Sequence, residues 1–105
     1  METIDLRFDR RRPLKGNRRF VLVGVVASGN LEVLMERTCA ADECRFHIET
    51  AALGFKDIWA AVLEEFIARH DVGGAAFSIN DASATPAVVM LRLQQALEEW
   101  SAGIQ

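Results

Sequence analysis

Ser28 is the residue whose type and surroundings best suit chemistry. It lies in the polar stretch Ala27-Ser28-Gly29-Asn30, between the apolar runs "VLVGVV" and "LEVLM". A glycine beside a serine in a tight turn exposes the hydroxyl and leaves room for a modifying enzyme. The hydroxyl could therefore accept a group through a phosphodiester. The alternative is that Ser28 only forms the turn, since serine is common in turns.

Serine hydrolysis and metal binding fit the sequence poorly. A nucleophilic serine of the G-x-S-x-G type sits on a strand-to-helix turn, whereas Val26 and Asn30 replace the glycines here and the turn leads into a predicted strand. The group Cys39-x4-Cys44-x2-His47 offers three ligands, and structural zinc sites need four. We therefore expect no metal site, two free thiols and a protein that is not an enzyme by itself.

Charge is distributed unevenly along the chain. The net charge is −3, yet residues 1–19 contain seven basic and three acidic side chains. This predicts a basic, mobile N-terminal arm, which either keeps the chain soluble or docks on an acidic partner. Nucleic-acid binding is disfavoured because the rest of the chain is acidic. No apolar run is long enough for a membrane span and no secretory signal is visible, so we expect a cytoplasmic protein.

Apolar periodicity predicts an α+β fold in one domain, residues 1–105. Alternating or continuous apolar runs predict strands at 20–27, 31–37, 44–51 and 75–80, with a weaker edge strand at 3–8. Helical spacing predicts helices at 55–70 and 85–101, the first ended by Gly73-Gly74 and the second capped by Thr85. The expected order is β-β-β-α-β-α. It gives a two-layer sandwich of about four mainly antiparallel strands, the first three as a meander, with both helices on one face.

Three stretches together resemble a known family. They are "VGVVASGNLEVL", "GFKDIWAAVLEEFIARH" and "INDASATPAVVMLRLQQALEE", which cover most of the chain beyond the basic segment. In these stretches the chain is similar to the δ subunit of malonate decarboxylase, an acyl carrier protein related to the carrier subunit of citrate lyase. The Ser-Gly turn, followed at this separation by Asn80-Asp81 and Ala84-Thr85-Pro86, makes the resemblance specific.

The resemblance implies a role for the serine in the turn. In that family a 2'-(5''-phosphoribosyl)-3'-dephospho-coenzyme A group is joined to it through a phosphodiester, which would here involve Ser28, with Gly29 completing the turn. The thiol of the group holds acetyl, which is exchanged for malonyl before decarboxylation. Implied partners are the acyltransferase and decarboxylase subunits and a prosthetic-group transferase. The family's turn is often Gly-Ser-Gly-Asp, so Asn30 lacks a charge that would help the transferase recognise it.

Two hypotheses about further residues accompany this interpretation. Arg18 and Arg19 could face the phosphates of the prosthetic group or an acidic partner, while Asn80, Asp81 and Thr85 serve as capping and turn residues. Three alternatives stay open from the sequence. They are the carrier subunit of a related lyase such as citrate lyase, a non-catalytic interaction domain with an ordinary Ser28, and a small nucleic-acid-binding protein.

Overall fold

The strands of this protein place alternate side chains toward the core and toward solvent. A computed structural model describes residues 2–9, 11–16, 18–24, 31–82 and 84–102. The described residues form these elements: β1 (Glu2–Phe8), β2 (Phe20–Val23), β3 (Leu31–Arg37), β4 (Cys44–Thr50), α1 (Lys56–Arg69), β5 (Ala75–Asp81) and α2 (Pro86–Ala102). The predicted α+β class is confirmed. The expected weak edge strand is a full strand, so the described residues form five strands rather than about four.

Strand order differs from the predicted meander. The sheet has the order β1-β4-β5-β3-β2, so β5 lies between β3 and β4. The β4–β5 pair is parallel and is joined through α1, whereas the other three pairs are antiparallel. The prediction of a mainly antiparallel sheet is therefore confirmed, and the three-strand meander is wrong. Periodicity shows which side chains are apolar, but it does not show which strand becomes the neighbour.

The core lies between one face of the sheet and the two helices. Alternate residues of the three central strands are buried, including Val33, Phe46 and Phe77. The rings of Phe46 and Phe77 stack at 4.8 Å between centroids, and Phe66 of α1 meets Phe77 edge-on at 5.9 Å. Leu93 and Trp100 of α2 are also buried. Both helices thus cover the same face, as predicted, and no helix among the described residues could span a membrane.

The described part of the basic segment contacts the body of the protein. β1 pairs with β4 along its whole length. Leu14 is buried, and its N–H donates to the Gly73 carbonyl at 2.8 Å. A Cβ at Gly73 would lie 2.4 Å from the Ala41 carbonyl oxygen, so only glycine allows this close approach. Backbone pairing and burial of this kind hold residues 2–8 and 11–14 against the body.

The helix ends test two sequence predictions. The Val88 N–H donates to the Thr85 hydroxyl oxygen at 3.4 Å and the Val89 N–H to the Thr85 carbonyl at 3.0 Å, which confirms Thr85 as the N-cap. The prediction that Gly73-Gly74 ends the first helix is wrong. Helix α1 ends at Arg69, because His70 has an extended backbone, with φ −135° and ψ 145°. The two glycines instead lead into β5.

Candidate functional site

The predicted attachment residues Ser28 and Gly29 lie outside the described residues, which resume at Leu31. The neighbouring strands nevertheless fix the end of the sheet that the serine must be near. Leu31 pairs with Asp81, and Asp81 pairs with Thr50 on its other side. Three residues of chain span at most about 11 Å, so Ser28 cannot be farther than that from Leu31. We call the edge formed by Val23, Leu31, Asp81 and Thr50 the Ser28 end of the sheet.

Asp81 joins the two connections that leave this end. Its buried carboxylate accepts hydrogen bonds from the Thr50 hydroxyl at 2.7 Å and from the Ala84 N–H at 2.6 Å. The Thr50 oxygen in turn accepts the Ala52 N–H at 3.1 Å. The carboxylate therefore holds the β4–α1 and β5–α2 connections against each other, which supports the structural role predicted for Asp81. Asn80 is exposed on the neighbouring position.

A cation that the sequence did not single out, Arg92, lies beside Gly24, the last described residue before Ser28. Gly24 has φ +78°, and a Cβ built there would lie 2.3 Å from the Leu31 carbonyl oxygen and 3.3 Å from Nε of Arg92. Nη1 of Arg92 donates to Gln95 at 2.9 Å. Within the described part of the chain, two guanidinium nitrogens, Nε of Arg92 and Nε of Arg18, are buried without a hydrogen-bond partner, and only that of Arg92 is next to Gly24. A buried guanidinium N–H without a partner is costly and is suited to an anionic oxygen.

Arg92 had only a weak signal in the sequence. It stands directly before the buried Leu93, at the border of the apolar face of α2. That position predicts a partly buried cation, but only packing of α2 against β2 and β3 brings it next to Gly24.

Arg18 and Arg19 lie toward the other end of β2. Phe20, which follows them, pairs with Glu36, and the Arg37 N–H approaches the Arg19 carbonyl at 3.4 Å. Arg19 lies five residues before Gly24 and Arg18 lies six residues before it, which at roughly 3.3 Å per residue separates them from Gly24 by about 16 to 20 Å. Their position therefore gives no support to the hypothesis that they face the phosphodiester, whereas Arg92 is adjacent to the hairpin.

Cys44 and His47 lie on opposite faces of β4, whereas Cys39 precedes that strand. Cys44 is fully buried on the helix side, while His47 is exposed on the opposite face. Burial raises the pKa of the Cys44 thiol to about 12 and is also the main cause that raises the pKa of Cys39. Both thiols are free. The described residues contain no group of three or more side chains arranged to hold a metal ion.

His47 has a partner on the neighbouring strand. Its Nδ1 lies 2.6 Å from Oδ1 of Asp5, because the two residues face each other across the β1–β4 ladder. The hydrogen bond to Asp5 is the largest cause that raises the pKa of His47 above its ordinary value. Both side chains are largely solvent-exposed, so this pair contributes little to stability.

Comparisons with known proteins agree with one another. A family model described as the malonate decarboxylase delta subunit, an acyl carrier protein, matches residues 18–100. The malonate decarboxylase acyl carrier protein of Xanthomonas euvesicatoria pv. vesicatoria is 55% identical over 98 residues, covering 93% of each chain. That of Bradyrhizobium diazoefficiens is 50% identical, covering 92% of each. A chain in the crystal structure of a Pseudomonas malonate decarboxylase hetero-tetramer in complex with malonate superposes with a TM-score of 0.81. It is 34% identical, and the match covers 94% of this chain and 98% of that one.

Proposed function

The chain belongs to the malonate decarboxylase delta-subunit family, and from that premise we propose that Ser28 is the residue through which it carries its acyl group. As a member of this family it is a non-catalytic acyl carrier subunit of malonate decarboxylase. The proposal adds the identity of the attachment residue and of the prosthetic group, a phosphoribosyl-dephospho-coenzyme A joined to Ser28 by a phosphodiester. Residues 1–105 would form one carrier domain that works in the cytoplasm.

The observation that carries the proposal is the buried Nε of Arg92 beside Gly24. A phosphodiester on Ser28 would place a negative charge within reach of this end of the sheet. The guanidinium provides an N–H for which the described residues offer no acceptor. Gly24 keeps open the space that a Cβ would fill between Arg92 and the Leu31 carbonyl. The residues present thus fit an anionic group attached to the hairpin.

The prosthetic group, when bound, supplies the thiol that forms the acyl thioester. The chain supplies the rest of what a carrier needs. Asp81 and Thr50 fix the strand ends next to the hairpin, so that the attachment point has a rigid base. Arg92 would bind and orient the phosphodiester, which sets the direction in which the long group leaves the surface. A tethered thiol reaches each partner site at a raised effective concentration.

We further propose that the partners are the acyltransferase and decarboxylase subunits of the complex, together with the transferase that attaches the prosthetic group. The decarboxylase subunits are supported by the similarity to a chain of a hetero-tetrameric malonate decarboxylase. The attaching transferase is a consequence of the proposed modification, because a phosphodiester on serine requires an enzyme that forms it.

Intact-mass measurement tests the attachment residue. The chain is purified from a host in which its decarboxylase is active, beside Ser28→Ala as the matched control. We expect the wild type to be heavier by one phosphoribosyl-dephospho-coenzyme A residue and the control to be unmodified. An unmodified wild type in that host would refute the proposal and favour a non-catalytic interaction domain. A modified Ser28→Ala chain would show that the group is attached elsewhere.

Phosphorus NMR of the modified chain tests the role of Arg92. In Arg92→Gln we expect the phosphodiester resonance to move toward that of a solvated phosphodiester. The control is Arg69→Gln, which removes an exposed arginine at the end of α1. Identical spectra for Arg92→Gln and the wild type would contradict a contact between Arg92 and the phosphodiester.

A further inference from the structure

A small apolar cavity opens at the Ser28 end of the sheet, between the starts of the two helices. Its volume is about 180 Å³, and its walls come mainly from Phe55, Ile58, Trp59, Val62 and Val89. Ile58 is 46% exposed and Phe55 is 44% exposed, although both side chains are large and apolar. Two large apolar side chains at a cavity mouth keep contact with water unless a ligand covers them. We call this space the helix-start cavity.

The helix-start cavity lies close to the proposed attachment residue. Asp81 is one of its lining residues, and Asp81 is the direct pairing partner of Leu31. Neighbouring strands are about 5 Å apart, and Ser28 is at most about 11 Å from Leu31 along the chain. The sum of these two distances is about 16 Å, so a group attached to Ser28 begins within that distance of Asp81 in the cavity wall.

The size and the chemistry of the cavity limit what it can hold. A cavity of about 150 Å³ between aliphatic and aromatic side chains accommodates one benzene ring. The helix-start cavity is slightly larger, so it would take a single heteroaromatic ring but not a whole coenzyme. The aromatic rings of Phe55 and Trp59 provide flat surfaces on which a base can stack. The Asp81 oxygens already accept hydrogen bonds from Thr50 and Ala84, so shape and stacking would provide most of the recognition.

We infer that the helix-start cavity binds the adenine ring of the prosthetic group attached to Ser28. This inference rests on the proposed function, because it takes the group to be a dephospho-coenzyme A derivative. Within such a group the phosphoribosyl unit is nearest the serine, the adenosine follows it, and the pantetheine extends beyond the adenosine. Docking of the base holds the near half of the group on the carrier while the thiol end stays able to reach partner active sites. Tethering gives an effective concentration in the millimolar range, so a base that binds with a Kd of about 1 mM is about half bound.

The experiment compares nitrogen-15 NMR spectra of the full-length chain with and without the prosthetic group. We expect the Trp59 indole N–H and the amides of Ala52 and Ala84 to shift on modification. The filled-cavity variant Ala52→Leu should be modified equally and should lose at least half of the Trp59 shift. The control Ala61→Leu adds the same side chain to an exposed position of α1 and should keep the full shift. Unchanged Trp59 and Ala84 signals in a chain that mass measurement shows to be modified would overturn the inference.

Titration of the unmodified chain makes the test independent of the modification. We expect adenosine at millimolar concentration to shift the Trp59 indole signal, and pantetheine at the same concentration to leave it unchanged. Shifts caused by pantetheine alone would overturn the inference, since the cavity would then hold the thiol end of the group. No shift with either probe would also overturn it. A chain that binds adenosine but is never modified would support the cavity as an adenine site and refute only the proposed function.

Discussion

Replacement of Asp81 with alanine should strongly destabilise the protein, because this carboxylate ties together two connections that are far apart in sequence. Asp81 is 6% exposed. It accepts the Thr50 hydroxyl, which lies 31 residues away in the chain, and the Ala84 N–H. Alanine removes both acceptor oxygens and leaves the Thr50 hydroxyl and the Ala84 N–H poorly solvated and without these acceptors. Nothing in an alanine side chain can replace them.

The size of the effect follows from the two hydrogen bonds. A hydrogen bond to a charged group contributes about 1.5 to 3 kcal/mol, so the two bonds give an upper range of about 3 to 6 kcal/mol. Burial of the carboxylate in the native state opposes part of this gain. We therefore expect Asp81→Ala to lower the free energy of unfolding by about 3 kcal/mol. Thr50→Val keeps the shape, removes one of the two bonds, and should cost about 1 to 2 kcal/mol.

Urea denaturation followed by circular dichroism measures these differences directly. A domain of this size loses about 4 to 8 °C of Tm per kcal/mol, so Asp81→Ala should melt at least about 12 °C lower. The double variant should be less destabilised than the sum of the single variants, since both remove the same contact. A loss below about 1 kcal/mol for Asp81→Ala, or strict additivity with Thr50→Val, would refute the reasoning.

Three further predictions concern other parts of the molecule. Trp100→Phe removes the indole hydrogen bond to the Lys15 carbonyl at 2.8 Å and should cost about 1 to 2 kcal/mol in urea denaturation; a neutral substitution would contradict this contact. Asp5→Asn should lower the pKa of His47 toward 6.5 in an NMR titration. Because the folded-state pKa is raised, the pair's stabilisation is complete below pH 6.5 and is lost as the pH rises through the raised value. Cys44, fully buried with a pKa of about 12, should react with iodoacetamide only as fast as the protein unfolds, and faster labelling in the native state would disprove its burial.

Local features of the fold were predictable from the sequence because they depend on neighbouring residues. The alternation of Leu31, Val33 and Met35 correctly identified the buried face of β3. Helical spacing placed both helices within one or two residues of their observed bounds, and Thr85-Pro86 identified the start of α2. The side chain that caps a helix and the residues on one helical face lie within a few positions of each other, so a local pattern contains the information.

Features of the candidate site were only partly predictable from the sequence. The Ser-Gly turn and the family resemblance singled out Ser28 from the sequence, and its role stays a prediction. Arg92 and the helix-start cavity were not predictable, since each needs residues from elements far apart in the chain. The sequence singled out Arg18 and Arg19 because they precede the strand that leads toward Ser28, and it did not single out Arg92. In the fold they lie toward the far end of β2, while Arg92 is adjacent to Gly24 and belongs to a helix that begins more than fifty residues later.

The sequence by itself determined which segments become strands and helices and which of their faces are apolar, and it singled out Ser28 as the candidate attachment residue. The tertiary structure decided that β5 lies between β3 and β4, and that β1 pairs with β4. It also decided that Asp81, Leu31 and Thr50 meet at one end of the sheet. The physical reason is that periodicity depends on local geometry, which only the chain neighbours set. The choice of a strand's partner depends on how all the apolar faces can be buried together, and that is a property of the whole chain.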